Sequence, residues 1–312
     1  MKSLTRTRSL VLAGAVLALL LPLLAACGTA AGGSGSGTNK GPVKIGTKNF
    51  PEQLILGEMY ALLLEDEGIK VERKFNLAGT PVLHEGLKTG EIDLYPEYTG
   101  TGLLTVLKLP TETDRQKVYA TVSKEYKSQF NLVWLDPAPM NNTQALAMTK
   151  DGSAKVGVTT ISQMAAKASE LRMIGPPEFA EREDGLPGIK KAYGNFNLKQ
   201  YIPVDPGLKY KGLVDGQAEV AVAFGTDGEI SAFNLVVLQD DKNLFPPYPV
   251  APVVRQQTLD ANPKIKDLLN KLAPKLTDDT MRRLNNEVSG NKKEPAAVAK
   301  DFLTQEGLIK KK

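Results

Sequence analysis

Two stretches of the chain repeat the same order of local signals, and that repeat constrains the fold more than any other feature. The first runs Gly86-Leu87-Lys88-Thr89-Gly90, through Ile92 and Leu94, to Tyr95-Pro96-Glu97-Tyr98-Thr99-Gly100. The second runs Gly212-Leu213-Val214-Asp215-Gly216, through Val220 and Val222, to Phe224-Gly225-Thr226-Asp227-Gly228. Each reads as a helix, a glycine stop, a short strand, an aromatic and a Thr/Gly turn. Gly90 is placed to cap its helix, because a left-handed conformation costs glycine nothing. Ile92 to Tyr95 alternates as a short strand, and Pro96, having no N–H for a ladder, is expected to stop it. A helix starting in Tyr98 to Gly102 aims free backbone N–H groups and an aromatic beyond the strand's C-terminal end. In open α/β sheets that is where ligands bind. Two such corners predict two similar lobes, each offering an aromatic and a hydroxyl at a strand end; chance similarity is the alternative.

The beginning of the chain reads as an address. Lys2, Arg6 and Arg8 form a basic segment, and Leu10 to Leu24 is an apolar run too short for a comfortable membrane span. Leu24-Ala25-Ala26-Cys27 follows and holds the single cysteine of the chain. This resembles a bacterial lipobox, which implies a signal peptide over 1–26 and lipidation at Cys27. An ordinary cleaved leader with a stray cysteine is the alternative. Residues 27–42, with their Gly-Ser-Gly-Ser-Gly core, are expected to be a flexible lipidated tether. Acyl chains in pairs anchor a protein stably where a single chain does not. The expected location is the extracytoplasmic face of the cell membrane.

A folded body of about 270 residues is long enough for two lobes. It has no cysteine left for disulfides, so its core must suffice without them. The formal net charge is +4, and three of those cations lie in the leader, so the body is nearly neutral. That excludes the basic patch a nucleic-acid partner requires, and the tail lysines Lys310, Lys311 and Lys312 are expected to be solvated.

Along the body, Val43 to Thr47 alternates as a strand. Asn49-Phe50-Pro51-Glu52 reads as a helix start, with Asn49 the cap and Glu52 its capping-box partner. Ile55, Met59, Leu62 and Leu63 then share one face. Val71 to Phe75 is the next strand, and Thr80-Pro81 opens a helix ending at Gly90. This strand–helix alternation predicts a mostly parallel sheet. A helix over Asp114 to Phe130 and a strand over Leu132 to Leu135 complete a first lobe.

Asp136-Pro137-Ala138-Pro139 marks a boundary, and Gln144 to Met148 reads as a strand entering a second lobe. A helix near Ile161 to Ser169, a strand at Met173-Ile174, a polar excursion over Pro176 to Gly188 and the Phe224 corner follow. Phe245-Pro246-Pro247-Tyr248-Pro249 is a second proline-rich crossing. After it come a strand over Val250 to Val254 and helices over Pro263 to Leu272, Asp278 to Glu287 and Pro295 to Leu303. The expected division is lobe I over 43–138 plus 250–312 and lobe II over 139–249. Two crossings between two lobes describe a hinged clamp.

Catalytic groups are scarce. His84 is the single histidine and is read on the polar side of its helix, as a surface or satisfied residue. With it alone, Ser–His and Cys–His hydrolases lack their parts, and no G-x-S-x-G elbow is present. Metal-ligand clusters, G-x-G-x-x-G and the P-loop are missing too, and no cofactor is expected. Asp93 and Glu97 could form a carboxylate-only acid–base pair, the enzymatic alternative. A binding protein without catalysis is the simpler reading.

Five motifs then make a specific resemblance. They are Gly46-Thr47-Lys48-Asn49-Phe50, Leu94-Tyr95-Pro96-Glu97-Tyr98-Thr99-Gly100-Thr101-Gly102, Asn141-Asn142-Thr143, Asp184-Gly185-Leu186-Pro187-Gly188 and Thr226-Asp227-Gly228. Nearly all of the chain after Lys40 resembles the glycine betaine/choline-binding proteins of osmoprotectant ABC importers. The resemblance implies an α/β, two-lobe type II periplasmic-binding-protein fold, each lobe a mostly parallel sheet flanked by helices, with two hinge crossings. It implies a receptor for a quaternary ammonium compound such as glycine betaine or choline, monomeric and serving an ABC permease. Another small zwitterion, such as an amino acid derivative, is the alternative ligand. It places cage aromatics at Tyr98, Phe224 and Tyr248, and polar or carboxylate contacts at Lys48, Thr101 and Arg182. Asn142 lines the cleft, and Thr226 and Asp227 belong to the second corner's ligand turn. Gln144 and Phe224 stand where the family commonly has tyrosine, so Gln144 removes a π face and Phe224 a hydroxyl.

Such a ligand suits such a site. A trimethylammonium group donates no hydrogen bond, and each π face that meets it is worth about 0.5–2 kcal/mol. Micromolar affinity needs about −8 kcal/mol, so several rings and an anion site must act together.

Overall fold

The computed structural model describes residues 41–310, so the expectations for the leader, Cys27, the tether up to residue 40 and the tail lysines Lys311 and Lys312 lie outside the described residues. One five-stranded sheet has the order β2 (Val71–Lys74), β1 (Val43–Gly46), β3 (Leu94–Tyr98), β10 (Val250–Arg255), β4 (Leu132–Trp134). The other has the order β7 (Gln200–Pro203), β6 (Arg172–Gly175), β8 (Val220–Phe224), β5 (Gln144–Thr149), β9 (Leu235–Val237). In each sheet the first three strands are parallel, and the fourth runs against both of its neighbours. The antiparallel fourth strand is the one that has just crossed over: β5 follows the first proline-rich segment and β10 the second. The repeat in the sequence is therefore a repeat in topology. β3 and β8 hold the same place in their sheets, each beside the crossing strand.

Helices cover both faces of both sheets. In the first sheet's half, α1 (Pro51–Asp66) and the C-terminal α11 (Lys264–Leu272), α12 (Asp278–Ser289) and α13 (Pro295–Gln305) build one core, around Ile55, Met59, Leu269, Leu284 and Phe302. The opposite face carries α2 (Thr80–Thr89) and α4 (Arg115–Phe130), with Leu83, Leu87, Val118 and Val122 buried. The second sheet is covered by α6 (Ile161–Ala166) and α7 (Leu186–Tyr193) on one face and α8 (Lys209–Val214) on the other.

Several local expectations are corrected. The strand does not stop at Pro96: β3 continues to Tyr98, while Ile92 lies outside it. Pro96 faces Pro252 across the β3–β10 pair, and both carbonyls turn outward, Pro96 to Gln53 Nε2 at 2.9 Å and Pro252 to the Leu135 N–H at 2.9 Å. A non-hydrogen-bonded pair asks neither proline for an N–H. Asn49 does not cap α1. The cap is Phe50, whose side chain makes no capping bond, and Glu52 makes no capping box. Gln53 instead reaches back, its Oε1 accepting from the Lys48 N–H at 3.2 Å. The single apolar face expected for α1 is also too narrow. Leu56, Tyr60 and Leu64 are buried with Ile55, Met59 and Leu63, while Leu62 is half-buried, because the C-terminal helices wrap the side away from the sheet. His84 is half-buried rather than lying freely on the surface, and its Nδ1 is buried without a partner. It packs edge-on against Tyr126 and Phe130, and burial pushes its pKa down.

Candidate functional site

The site is built where β3 and β8 end. Tyr98 closes β3 and is followed by a helical turn, α3 (Thr99–Thr101), that continues as one π-helical turn over Gly102–Val106. Phe224 closes β8, and Gly225-Thr226-Asp227 leads into α9 (Gly228–Ala232). The crossing segments add Asn142 and Gln144 from one side and Tyr248 from the other. Gln144 is directly opposite Phe224 in the β5–β8 register, the Asn142 N–H donates to the Tyr248 carbonyl at 3.2 Å, and the Tyr248 ring lies against Gly100. Tyr98, Tyr248, Gln144 and Lys48 are all buried.

Three acids organise these side chains with a cation apiece. Glu97 is fully buried and takes Lys48 Nζ at 2.7 Å, Thr80 Oγ1 at 3.0 Å and Tyr95 Oη at 2.9 Å. Burial pushes the Lys48 ammonium pKa down, against the pull of Glu97. Asp184 takes Arg182 Nε at 2.7 Å, Tyr248 Oη at 2.6 Å and the amide of Gln144. Burial pushes the Asp184 carboxyl up, but the hydrogen bonds and charge of Arg182 outweigh it and hold the pKa below the usual carboxylate range. Asp227 takes Lys209 Nζ at 2.8 Å, Tyr210 Oη at 2.6 Å and the Phe224 N–H at 3.0 Å.

The two corners match chemically as well as topologically. Lys48 Nζ lies 5.2 Å from the Tyr98 ring centroid, and Lys209 Nζ lies 4.6 Å from that of Phe224. In each half, then, a lysine held by an acid stands within cation–π range of the aromatic that ends the central strand.

A fourth acid has no cation. Glu52, buried in the first turn of α1, receives Tyr98 Oη at 2.7 Å and Asn142 Nδ2 at 2.7 Å on Oε1. Its Oε2 receives Thr226 Oγ1 at 2.5 Å and Asn285 Nδ2 at 2.8 Å. Burial pushes its pKa up, and the hydrogen bonds pull the other way. These donors come from β3, the first crossing, the turn after β8, and α12.

Of the residues singled out in the sequence, Lys48, Tyr98, Asn142, Gln144, Arg182, Phe224, Thr226, Asp227 and Tyr248 are joined by these contacts. Thr101 is half-buried in the turn after Tyr98. Sequence reasoning missed Glu52, Asn285 and Lys209, and it assigned Asp184 no role although it lies in one of the five motifs. The available signal for Glu52 was a charged residue in the first turn of a largely apolar helix, and it was read as a capping box. Asp93 and Glu97 do not pair: Asp93 binds the Lys44 N–H at 2.8 Å and Thr258 Oγ1 at 3.2 Å, while Glu97 binds Lys48.

Comparison with known proteins agrees with this architecture. The chain is 38% identical over 269 residues to the ergothioneine transport permease/ergothioneine binding protein of Helicobacter pylori, an alignment covering 86% of this chain and 48% of that one. It therefore spans about half the length of that relative. It is 34% identical over 279 residues to the carnitine transport binding protein of Listeria monocytogenes, covering 88% of this chain and 90% of the relative. A crystal structure described as that of a glycine betaine/carnitine/choline ABC transporter superposes with a TM-score of 0.76 at 33% identity, covering 86% of this chain and 100% of the other. Apo YehZ from Escherichia coli superposes with a TM-score of 0.69 at 32% identity, over 86% and 100%. The fold is the type II periplasmic-binding-protein fold that the resemblance implied. Residues 41–305 match the model of the substrate binding domain of the ABC-type glycine betaine transport system, and the chain belongs to that family.

Proposed function

We propose that this protein is an extracytoplasmic receptor that captures a quaternary ammonium solute between two lobes, 43–138 plus 250–312 and 139–249, and delivers it to an ABC permease without catalysing any reaction. The observation that supports this best is that shared acids tie the aromatic corners together: Glu52 accepts from Tyr98 and from Thr226, two residues past Phe224, and Asp184 accepts from Tyr248 and from Gln144, which is paired with Phe224. In this reading the three rings meet the trimethylammonium head, and Arg182 and Lys48 meet a carboxylate. Lysine ammonium groups already stand within range of two of the rings, at 5.2 Å and 4.6 Å, so these rings suit a cation.

Calorimetric titration with glycine betaine, choline, carnitine, ergothioneine and ectoine tests the reading. Saturable heat with at least one quaternary ammonium compound, and no product after prolonged incubation, is the expected outcome. Binding of ectoine alone would overturn it. In the chosen ligand, Tyr98→Ala and Tyr248→Ala should each weaken binding by about 1–2 kcal/mol, roughly five- to thirty-fold. The phenylalanine variants should lose less, since they keep the rings and give up only the bonds to Glu52 and Asp184. Equal losses from Ala and Phe would mean that the hydroxyls bind and the π faces do not.

A second reading of the ligand rests on two atoms. Asn142 Oδ1 and Gln144 Oε1 are buried acceptors without a protein partner, and they lie two residues apart on the first crossing. A betaine that also carries N–H or O–H donors would satisfy them, where glycine betaine could not. The Helicobacter pylori relative is named for ergothioneine, a betaine whose ring has N–H groups. Tighter binding of ergothioneine or carnitine than of glycine betaine in the same titrations would select this reading.

Attachment to the membrane is proposed through lipid on Cys27. Among the described residues no helix is long and apolar enough to cross a membrane. The Cys27→Ser protein should leave the membrane fraction and appear in the soluble one. Continued sedimentation with membranes would remove the lipid from the account.

A further inference from the structure

The acids of the site differ in how they are balanced. Glu97 has Lys48, Asp184 has Arg182 and Asp227 has Lys209. Glu52 is buried, more deeply than Asp184 or Asp227, and its four partners are a phenol, a hydroxyl and two amides. All four donate, two to each oxygen, which is the full set that an ionised carboxylate accepts. Both amides turn their NH2 group toward this carboxylate, Asn285 sharing its own with the Thr226 carbonyl, and leave Asn142 Oδ1 and Asn285 Oδ1 buried without a partner. The arrangement is shaped around a negative charge, and no cation of the protein is hydrogen-bonded to it.

We infer that Glu52 is a specificity-determining residue: its carboxylate, one hydrogen bond behind the Tyr98 ring, is the counter-charge that the cationic head of the ligand completes. This rests on the cage reading above. Tyr98 transmits the charge in two ways. A phenol that donates to a carboxylate has a more electron-rich ring, which strengthens its attraction for a cation. The same bond also fixes the ring's orientation. Glu52 does not touch the ligand in this account; it acts through Tyr98 and through the field it sets up in a buried, weakly screened place.

The inference has a protonic consequence. Burial favours the neutral acid, and the charged group whose field reaches Glu52 is Asp227, a like charge that favours it further. Tyr98, the titratable partner in direct contact, has its own pKa pushed well up by burial and stays neutral. A cation entering the cage favours the ionised form. Binding at pH values where Glu52 is partly protonated should therefore release a proton, and affinity should fall as the pH is lowered through that range.

The test uses charged and uncharged ligands of one shape. Choline is paired with 3,3-dimethylbutanol, and glycine betaine with 3,3-dimethylbutanoate; each pair differs by carbon for nitrogen in the head. Glu52→Gln should weaken the quaternary ammonium member on the order of tenfold or more, the size of one charge removed from a neighbour at an effective dielectric of about 20. It should leave the carbon analogue within about twofold. Calorimetry at acid pH in two buffers of different ionisation enthalpy should show proton release in the wild type and none in Glu52→Gln. Tyr98→Phe, which cuts the hydrogen bond and keeps the ring, is the second arm and should show part of the same selective loss if Glu52→Gln does not fold. Equal weakening of both members of a pair, or no weakening of the cation, overturns the inference and leaves Glu52 a structural knot. Wild-type protein that binds neither choline nor glycine betaine nor any other quaternary compound overturns the cage reading itself, which is a different result.

Discussion

Glu97→Leu should be the most destabilising single substitution in the site, costing about 3–5 kcal/mol, because it strands the buried Lys48 ammonium without its partner. Glu97 is inaccessible to solvent and Lys48 nearly so. The same change deprives Thr80, Tyr95 and the Tyr98 N–H of their acceptor. For a body of this size the cost corresponds to a fall in Tm on the order of 10 °C, measured by thermal denaturation monitored by circular dichroism. Adding Lys48→Met should restore a substantial part of the loss, since an apolar pair of similar volume removes the desolvation of both charges. A Glu97→Leu protein as stable as the wild type would mean that Lys48 escapes to water, and that the pair holds nothing together.

The second large effect is on affinity, through Gly228→Ala. Gly228 opens α9, and a Cβ there would meet the backbone of Asn286 in α12, at 2.5 Å from N and 2.7 Å from Cα. Backbone cannot turn aside as a flexible side chain can. α12 is tied to α1 through Asn285 and Glu52, and it also binds the Thr226 carbonyl through Asn285 Nδ2 at 2.8 Å. The added methyl must therefore push the Thr226 turn off α12 and break the contacts by which β8's corner reaches Glu52. Overpacking costs about 1–3 kcal/mol, and here it should fall on closure of the lobes rather than on either core. Ligand affinity is expected to drop on the order of tenfold, with Tm lowered by no more than a few degrees. Small-angle scattering of the variant with ligand should report a more open particle. Full affinity combined with a large loss of stability would show that the α9–α12 contact belongs to the permanent core and takes no part in closing.

Both predictions depend on relations that no local pattern carries. Lys48 and Glu97 are brought together by the pairing of β1 with β3. Gly228 and Asn286 meet only because α12 returns from the C-terminal end of the chain to the corner of the second sheet. The sequence repeat placed Phe224 at its strand end and marked the corner that holds Tyr98, though it ended that strand too early, and the proline-rich segments placed the two crossings. Those features are written in backbone preferences that act over a few residues: glycine's left-handed conformation at Gly90, proline's missing donor, and the alternation of apolar side chains. They survive in any tertiary context, so they could be read from residues alone.

Where a residue's role depends on a distant partner, local rules pointed the wrong way. Pro96 reads as the end of a strand until Pro252 is known to face it. Glu52 reads as half of a capping box, because acids at that position commonly bind backbone N–H groups; here tertiary packing covers the helix start and turns the carboxylate inward. Its four donors lie at Tyr98, Asn142, Thr226 and Asn285, spread over most of the folded chain. By itself, then, the sequence determined the two-lobe architecture, the crossings and the aromatic corners, through short-range conformational preference. The tertiary structure alone decided which acid found which cation and which acid was left without one, because burying a charge is governed by what surrounds it in space.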